Sequence, residues 1–207
     1  MSRRFDTKPM TRQLHLSSLI LHPFAALALL VAIPLHAAPP QTFVITSGWV
    51  GFHLEDTLEE IDADTKKVSG GVSADPANLP ASSVTLTIDT ASLDSGMQMR
   101  DDDMRETYLE TKKFPTATFK STNVTGPASL EAGQSADVRV AGDLTLHGVT
   151  RRIVVPVHVT LESAKRAHLT SKFTIRMSDY NVTIPEKLVL AVANEVGVRF
   201  DLVATAK

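Results

Sequence analysis

"RIVVPVHVTLE", Arg152 to Glu162, settles the class of fold. Ile153, Val155, Val157, Val159 and Leu161 share one side of an extended chain, and Val154, Pro156, His158 and Thr160 share the other, because successive side chains of a strand point to opposite faces. Working outward, the same alternation recurs as Val84, Leu86, Ile88 in "SVTLTID" and as Val138, Val140, then Leu144, Leu146 in "VRVAGDLTLHG". It recurs again as Phe173, Ile175, Met177 and as Val198, Phe200, Leu202. Phe43 and Ile45 begin a first strand, which Val50, Phe52 and Leu54 continue after Gly48. Adding "KKVSGGVSAD" and "TATFKSTNV" predicts eight or nine strands, separated by turn-rich pieces such as "DPANLPASS", "GPASLEAGQ" and "LHGVTRR". Strands following one another without helices between them make a closed or nearly closed antiparallel barrel, or a sandwich. Pro156 removes a ladder donor from the middle of a long strand, which predicts a bulge or an edge there.

One segment breaks the alternation: "RDDDMRETYLETKKFPTATF", Arg100 to Phe119. Its three consecutive acids, Asp101, Asp102 and Asp103, sit where a helix N-terminus favours negative charge, and Asp103 with Glu106 resembles a capping box. Met104 and Tyr108 lie four apart on one helical face, Lys112 and Lys113 follow at the end that favours cations, and Pro115 starts the next strand. The same acids lack the spacing of a calcium loop, and neighbouring helical side chains point about 100° apart, so they do not converge on a metal.

The N-terminal stretch stands outside the fold. Arg3, Arg4, Lys8 and Arg12 precede an apolar run ending "HPFAALALLVAIPLHAAPP", the order of a secretory signal. The uninterrupted apolar core from Phe24 to Ile33 is short beside the ~20 residues of a membrane-spanning helix. Residues 1–37 therefore read as a cleaved signal peptide and 38–207 as one exported domain, placed in the periplasm or secreted. The chain carries a net charge of −2, and losing the basic leader makes it more acidic, which argues against nucleic acid as a partner. With no cysteine there are no disulfides, thiol catalysis or cysteine zinc sites, and stability rests on burial alone.

Other constellations have structural readings. His158 and His168 flank a hairpin and could face each other, but histidine pairs on strands are mostly not zinc ligands. His147 closes "GDLTLHGVT" before a tight turn, where an imidazole satisfies backbone groups. There is no G-x-S-x-G elbow and no carboxylate pair singled out for glycoside chemistry. What remains is the apolar inner face, with Phe43, Phe52, Phe119, Phe173 and Phe200 on different strands. An eight-stranded barrel either fills its interior with side chains or holds one ligand, and alternation does not separate the two.

"SSVTLTIDTASLDSGMQMRDDDMRETYLETKKFPTATFKSTNV" followed by "AGDLTLHGVTRRIVVPV" resembles the YceI-like family, secreted bacterial proteins whose extended lipocalin-like barrel holds polyisoprenoid chains. The resemblance runs from Phe43 to the C-terminus. Its most specific pieces are Ile88-Asp89, Arg100-Asp101, Phe114-Pro115 through Lys120-Ser121-Thr122, and Gly142 through Thr150. Two stretches depart from the family pattern: Trp49 with the acidic run that follows it, and Asp103-Met104, where members usually carry a His close to a Leu. The role of that His does not carry over.

The resemblance implies an all-β, antiparallel eight-stranded lipocalin-like barrel with one short helix inserted around residues 101–110. It implies non-enzymatic binding, as carriage or storage, of a polyisoprenoid lipid, either a polyprenyl lipid or an isoprenoid quinone. No metal or cofactor is expected beyond that lipid. The lumen is expected to include Phe43, Ile45, Phe52, Leu54, Leu86 and Ile88, and from the helix and the next strand Met104, Tyr108, Phe114 and Phe119. Leu144, Leu146, Phe173, Ile175 and Phe200 complete it, and Arg100, Asp101 and Asn194 are placed at the mouth. A transient membrane contact and a homodimer stay open. So do two competing readings: a lipid-acting enzyme using His147 or the acids, and a ligand-free structural domain.

Overall fold

The computed structural model describes residues 40–207 apart from 56–59, 185, 188, 189 and 192. The expected leader, residues 1–37, lies outside the described residues.

The alternating stretches form strands β1 (Gln41–Glu55), β2 (Glu60–Thr65), β3 (Val68–Ala74), β4 (Ser83–Asp89), β5 (Thr116–Thr125) and β6 (Ser135–Leu146). Then come β7 (Val149–Ser163), β8 (Arg166–Arg176), a small hairpin of β9 (Glu186–Lys187) with β10 (Leu190–Ala191), and β11 (Glu195–Ala206). Each large strand pairs antiparallel with its neighbour, and β11 returns to β1, from Phe43↔Ala206 to His53↔Gly197. β1 pairs with β3 through Gln41–Val44 and with β2 through Val50–Glu55, so β2 and β3 form two segments of one bent wall. Counting that wall once, the ring is a closed eight-stranded barrel. Closure bends β1 at a register shift between Ile45 and Ser47. Gly48 follows at φ +118°, where a Cβ would lie 2.1 Å from the Asp201 carbonyl oxygen, so only glycine fits the bend.

One end of the barrel is shut. The β3–β4 and β5–β6 loops cross it and bond to each other, Leu79 N–H to the Ala128 carbonyl (2.9 Å) and Leu130 N–H to the Pro76 carbonyl (2.8 Å). Leu130 packs there on Phe43, Leu161 and Ala204, with Leu79 against the same cluster. The opposite end carries the helical segment.

That segment begins earlier than the capping-box reading expects. Helix α1 (Gln98–Asp103) runs into a π-helical turn (Met104–Tyr108), and its N-cap is Met97, with no side-chain capping bond. Asp103 is thus inside the helix and does not cap it. Asp101 does the local work instead: its buried carboxylate accepts from the Ser95 N–H (2.9 Å) and hydroxyl (2.7 Å), with Arg105 at 3.7 Å. Asp102 faces Arg105 at 3.6 Å on the exposed side.

Pro156 makes no bulge. The β6–β7 register runs unbroken through Arg139↔Pro156. On the other side, however, the β7–β8 ladder ends at His158↔Thr170, leaving Val149–Val157 unpaired toward β8. The Ser171 hydroxyl donates to the Pro156 carbonyl, so that carbonyl faces β8. A strand residue's N–H and C=O point the same way, and the missing N–H is therefore the one that would have extended this ladder. Pro156 creates an internal edge, a seam in the barrel wall.

His158 and His168 do not face each other. Each meets a carboxylate across a different strand pair, His158 with Asp137 (2.7 Å) and His168 with Asp201 (2.8 Å). Among the described residues, no group of three or more His, Asp or Glu side chains gathers to hold a metal, and no helix is long and apolar enough to cross a membrane.

Candidate functional site: an apolar tube

The inner faces of the strands do not meet. They enclose a cavity of about 530 Å³ that runs from Phe43, Leu79 and Leu130 at the closed end to Met97, Met99, Arg100 and Asp103 beside the helix. The burial pattern says the same thing. Leu86, Leu144, Phe173 and Phe200 point inward yet are only half-buried, because their tips face open space, and Tyr180 and Leu202 are the largest fully buried side chains. A core packed at crystal-like density would bury the inward set completely. Gly142 helps shape the wall: a Cβ there would fall 2.4 Å from the Phe119 ring, so the ring lies over the glycine.

The wall is apolar along its length. Its polar members, Ser82, Thr90, Ser95, Arg100, Asp103 and the Tyr108 phenol, are few beside the Val, Leu, Ile and Phe side chains. Such a cavity does not hold ordered water, which needs two to four polar partners. At about 24 cal/mol per Å³ of void, 530 Å³ corresponds to on the order of 10 kcal/mol, as large as the entire net stability of a typical domain. An apolar occupant would recover that cost.

Of the expected lumen residues, Phe43 and Ile45 line the closed end, and Leu86, Phe119, Leu144, Phe173 and Phe200 the middle. Phe52, Leu54, Ile88, Met104, Tyr108, Leu146 and Ile175 line the helix-capped part. Phe114 is outside the wall: its ring packs edge-on against His147, centroids 4.6 Å apart. Arg100 lines the cavity beside the helix, whereas the Asp101 carboxylate is taken up by Ser95. Asn194 is not among the residues that line the cavity. It clips the 3₁₀ turn Met177–Tyr180, accepting from the Ser178 N–H (3.0 Å) and donating to its hydroxyl (2.9 Å).

The sequence reading missed the methionine rim. Met97 is 51% and Met99 77% exposed, and both border the cavity. Their spacing by two in "SGMQMR", across the start of α1, was the available signal. It also missed Ile61, which faces the tube from the acid-rich "EIDADT". There the alternation of Ile61, Ala63 and Thr65 against Asp62 and Asp64 carried the information.

His147 faces away from the tube. Its ring is 3.0 Å from the Glu110 carboxylate and 3.2 Å from the Tyr180 carbonyl, so it ties the β6–β7 turn to two distant segments and not to its own turn. Lys113 and then His147 hold the Glu110 carboxyl below the usual carboxylate range. Burial pushes the Asp101 carboxyl up, but the Ser95 hydrogen bonds and Arg105 outweigh it and leave it lowered. Neither group points into the cavity.

A closed antiparallel barrel around an apolar tube is a lipocalin-like barrel. The chain belongs to the YceI-like family, whose YceI-like domain matches residues 42–204. A UPF0312 protein of Vibrio cholerae is 38% identical over 134 residues, 62% of this chain and 68% of that protein. The crystal structure of BcnA from Burkholderia cenocepacia is 31% identical with a TM-score of 0.67, over 76% of this chain and 96% of BcnA. A polyisoprenoid binding domain from Saccharophagus degradans shares the fold, with a TM-score of 0.62 at 23% identity, over 81% of this chain and 99% of that domain.

Proposed function

We propose that the protein binds a polyisoprenoid lipid, a polyprenyl lipid or an isoprenoid quinone, with its chain inside the tube, and serves as a carrier or reservoir in the bacterial periplasm. The apolar cavity of about 530 Å³ carries this reading. Enclosing a chain gains about 0.8 kcal/mol per buried CH₂, so the tube needs no polar contact to hold a prenyl tail. The polyisoprenoid-binding relative from Saccharophagus degradans supports the ligand class, and the basic-then-apolar leader supports the location. The exposed Met97 and Met99 at the rim support a transient contact with a lipid surface during loading.

A lipid-acting enzyme is the weaker reading, since Asp101 is bonded to Ser95 and His147 to Glu110 and Tyr180. Mass spectrometry of organic extracts from protein purified without detergent tests the proposal. A recurrent prenyl species is the expected result; repeated recovery of lipid-free protein would overturn it.

A further inference from the structure

The seam left by Pro156 opens onto a second hollow. An outer cleft of about 440 Å³ lies over it, walled by Arg151 and Arg152 of β7, Arg176 of β8, and Asp179, Tyr180 and Glu195. Ile153 and Ile175 line both the cleft and the tube, at the stretch where no backbone ladder joins β7 to β8.

The cleft has uncommitted donors. Arg152 is paired with Asp143 (3.1 Å) and Arg176 with Glu195 (3.3 Å). Arg151 gives only its Nε, to the Asp179 carbonyl (2.9 Å), and its terminal amino groups make no hydrogen bond among the described residues. Tyr180 is 1% exposed, and among the described residues its hydroxyl has no hydrogen-bond partner. A buried hydroxyl left unpaired is costly and marks a place where an acceptor belongs. Burial and the Asp179 carboxylate push the phenol above its usual range, with Arg151 acting the other way, so at neutral pH it is a donor. With Asp143 paired to Arg152, three carboxylates match the three guanidinium groups, and the donors left over are the Arg151 amino groups and the Tyr180 hydroxyl.

We infer that this cleft is a headgroup site, taking an oxygen-acceptor headgroup on a prenyl chain that passes between Ile153 and Ile175 into the tube. Tyr180 and Arg151 line this same cleft. Two headgroups carry the required acceptors, a phosphate ester and a quinone.

The inference rests on the tube reading, and the test separates the two. Displacement of a fluorescent apolar probe is measured with geranylgeranyl phosphate, a short-chain ubiquinone and headless squalene, on wild type, Arg151→Gln and Tyr180→Phe. Tyr180→Phe removes only an unpaired hydroxyl and so keeps the fold should Arg151→Gln disturb it. Both variants are expected to weaken one headed ligand about tenfold and leave squalene unchanged. Loss confined to the phosphate identifies a phosphate ester, and loss confined to ubiquinone a quinone. Equal retention of all three ligands by both variants overturns the headgroup site and spares the tube; failure of wild type to bind any of them overturns the tube itself.

Discussion

Leu144→Phe has opposite signs in a hollow barrel and in a solid one. Leu144 is half-buried, faces the tube, and stands opposite Phe119, whose ring leans away over Gly142. In a filled core, the larger ring forces neighbours off their rotamers and costs about 1–3 kcal/mol. In the tube it occupies void: about three added carbons at ~0.8 kcal/mol each give roughly 2 kcal/mol gross. Restricted rotamers take back part of this, leaving a net gain of about 1 kcal/mol. Urea denaturation of delipidated protein reads the difference as a midpoint raised by about 0.5 M, since m for domains of this kind is near 1–3 kcal/mol/M. Lipid loading should fall in the same variant. A loss of 1 kcal/mol or more with loading unchanged would refute the reasoning.

Asp101→Asn should cost about 1–3 kcal/mol, because the Ser95 donors lose a carboxylate acceptor. The Asp101 carboxyl is depressed in the fold, so it stabilises the fold above the ordinary aspartate range, and that contribution is lost as pH falls through the folded value. Unfolding followed from pH 7 to pH 3 should therefore fall less steeply in the variant, and parallel curves would count against it. Pro156→Val restores the donor facing β8 and should extend the β7–β8 ladder by about one bond, worth roughly 0.5–1.5 kcal/mol. Hydrogen exchange should slow around Ser171 and Lys172; unchanged exchange there would mean that something other than the proline holds the seam open. Replacing Met97 and Met99 with Ser should slow lipid pick-up from vesicles severalfold while leaving equilibrium affinity intact, and an unaltered rate would remove the rim from the loading step.

Period-two alternation made the inward set legible, because a strand's pleat converts position into face without tertiary information; β7 is the clearest case. It failed where the pleat stops. Phe114 precedes β5, which starts at Thr116, so no alternation assigned it a side, and it turned to His147. Residue type misled at the mouth: Asp101 and Asn194 look like headgroup contacts, yet both are consumed by nearby Ser95 and Ser178. The acid run put the helix start three residues late for the same reason, since Asp101 accepts from the preceding turn and Met97 takes the cap position. Closure of β11 onto β1 joins residues more than 140 apart, and the void depends on how far side chains reach across the axis. Alternation gives direction and says nothing of reach.

A crystal structure of protein purified without detergent tests the central claim most directly. The account predicts continuous electron density for a methyl-branched prenyl chain between the Leu79–Leu130 floor and the Met97–Met99 rim. Phe119, Phe173 and Phe200 found interlocked across the barrel axis, with no tube between them, would contradict it.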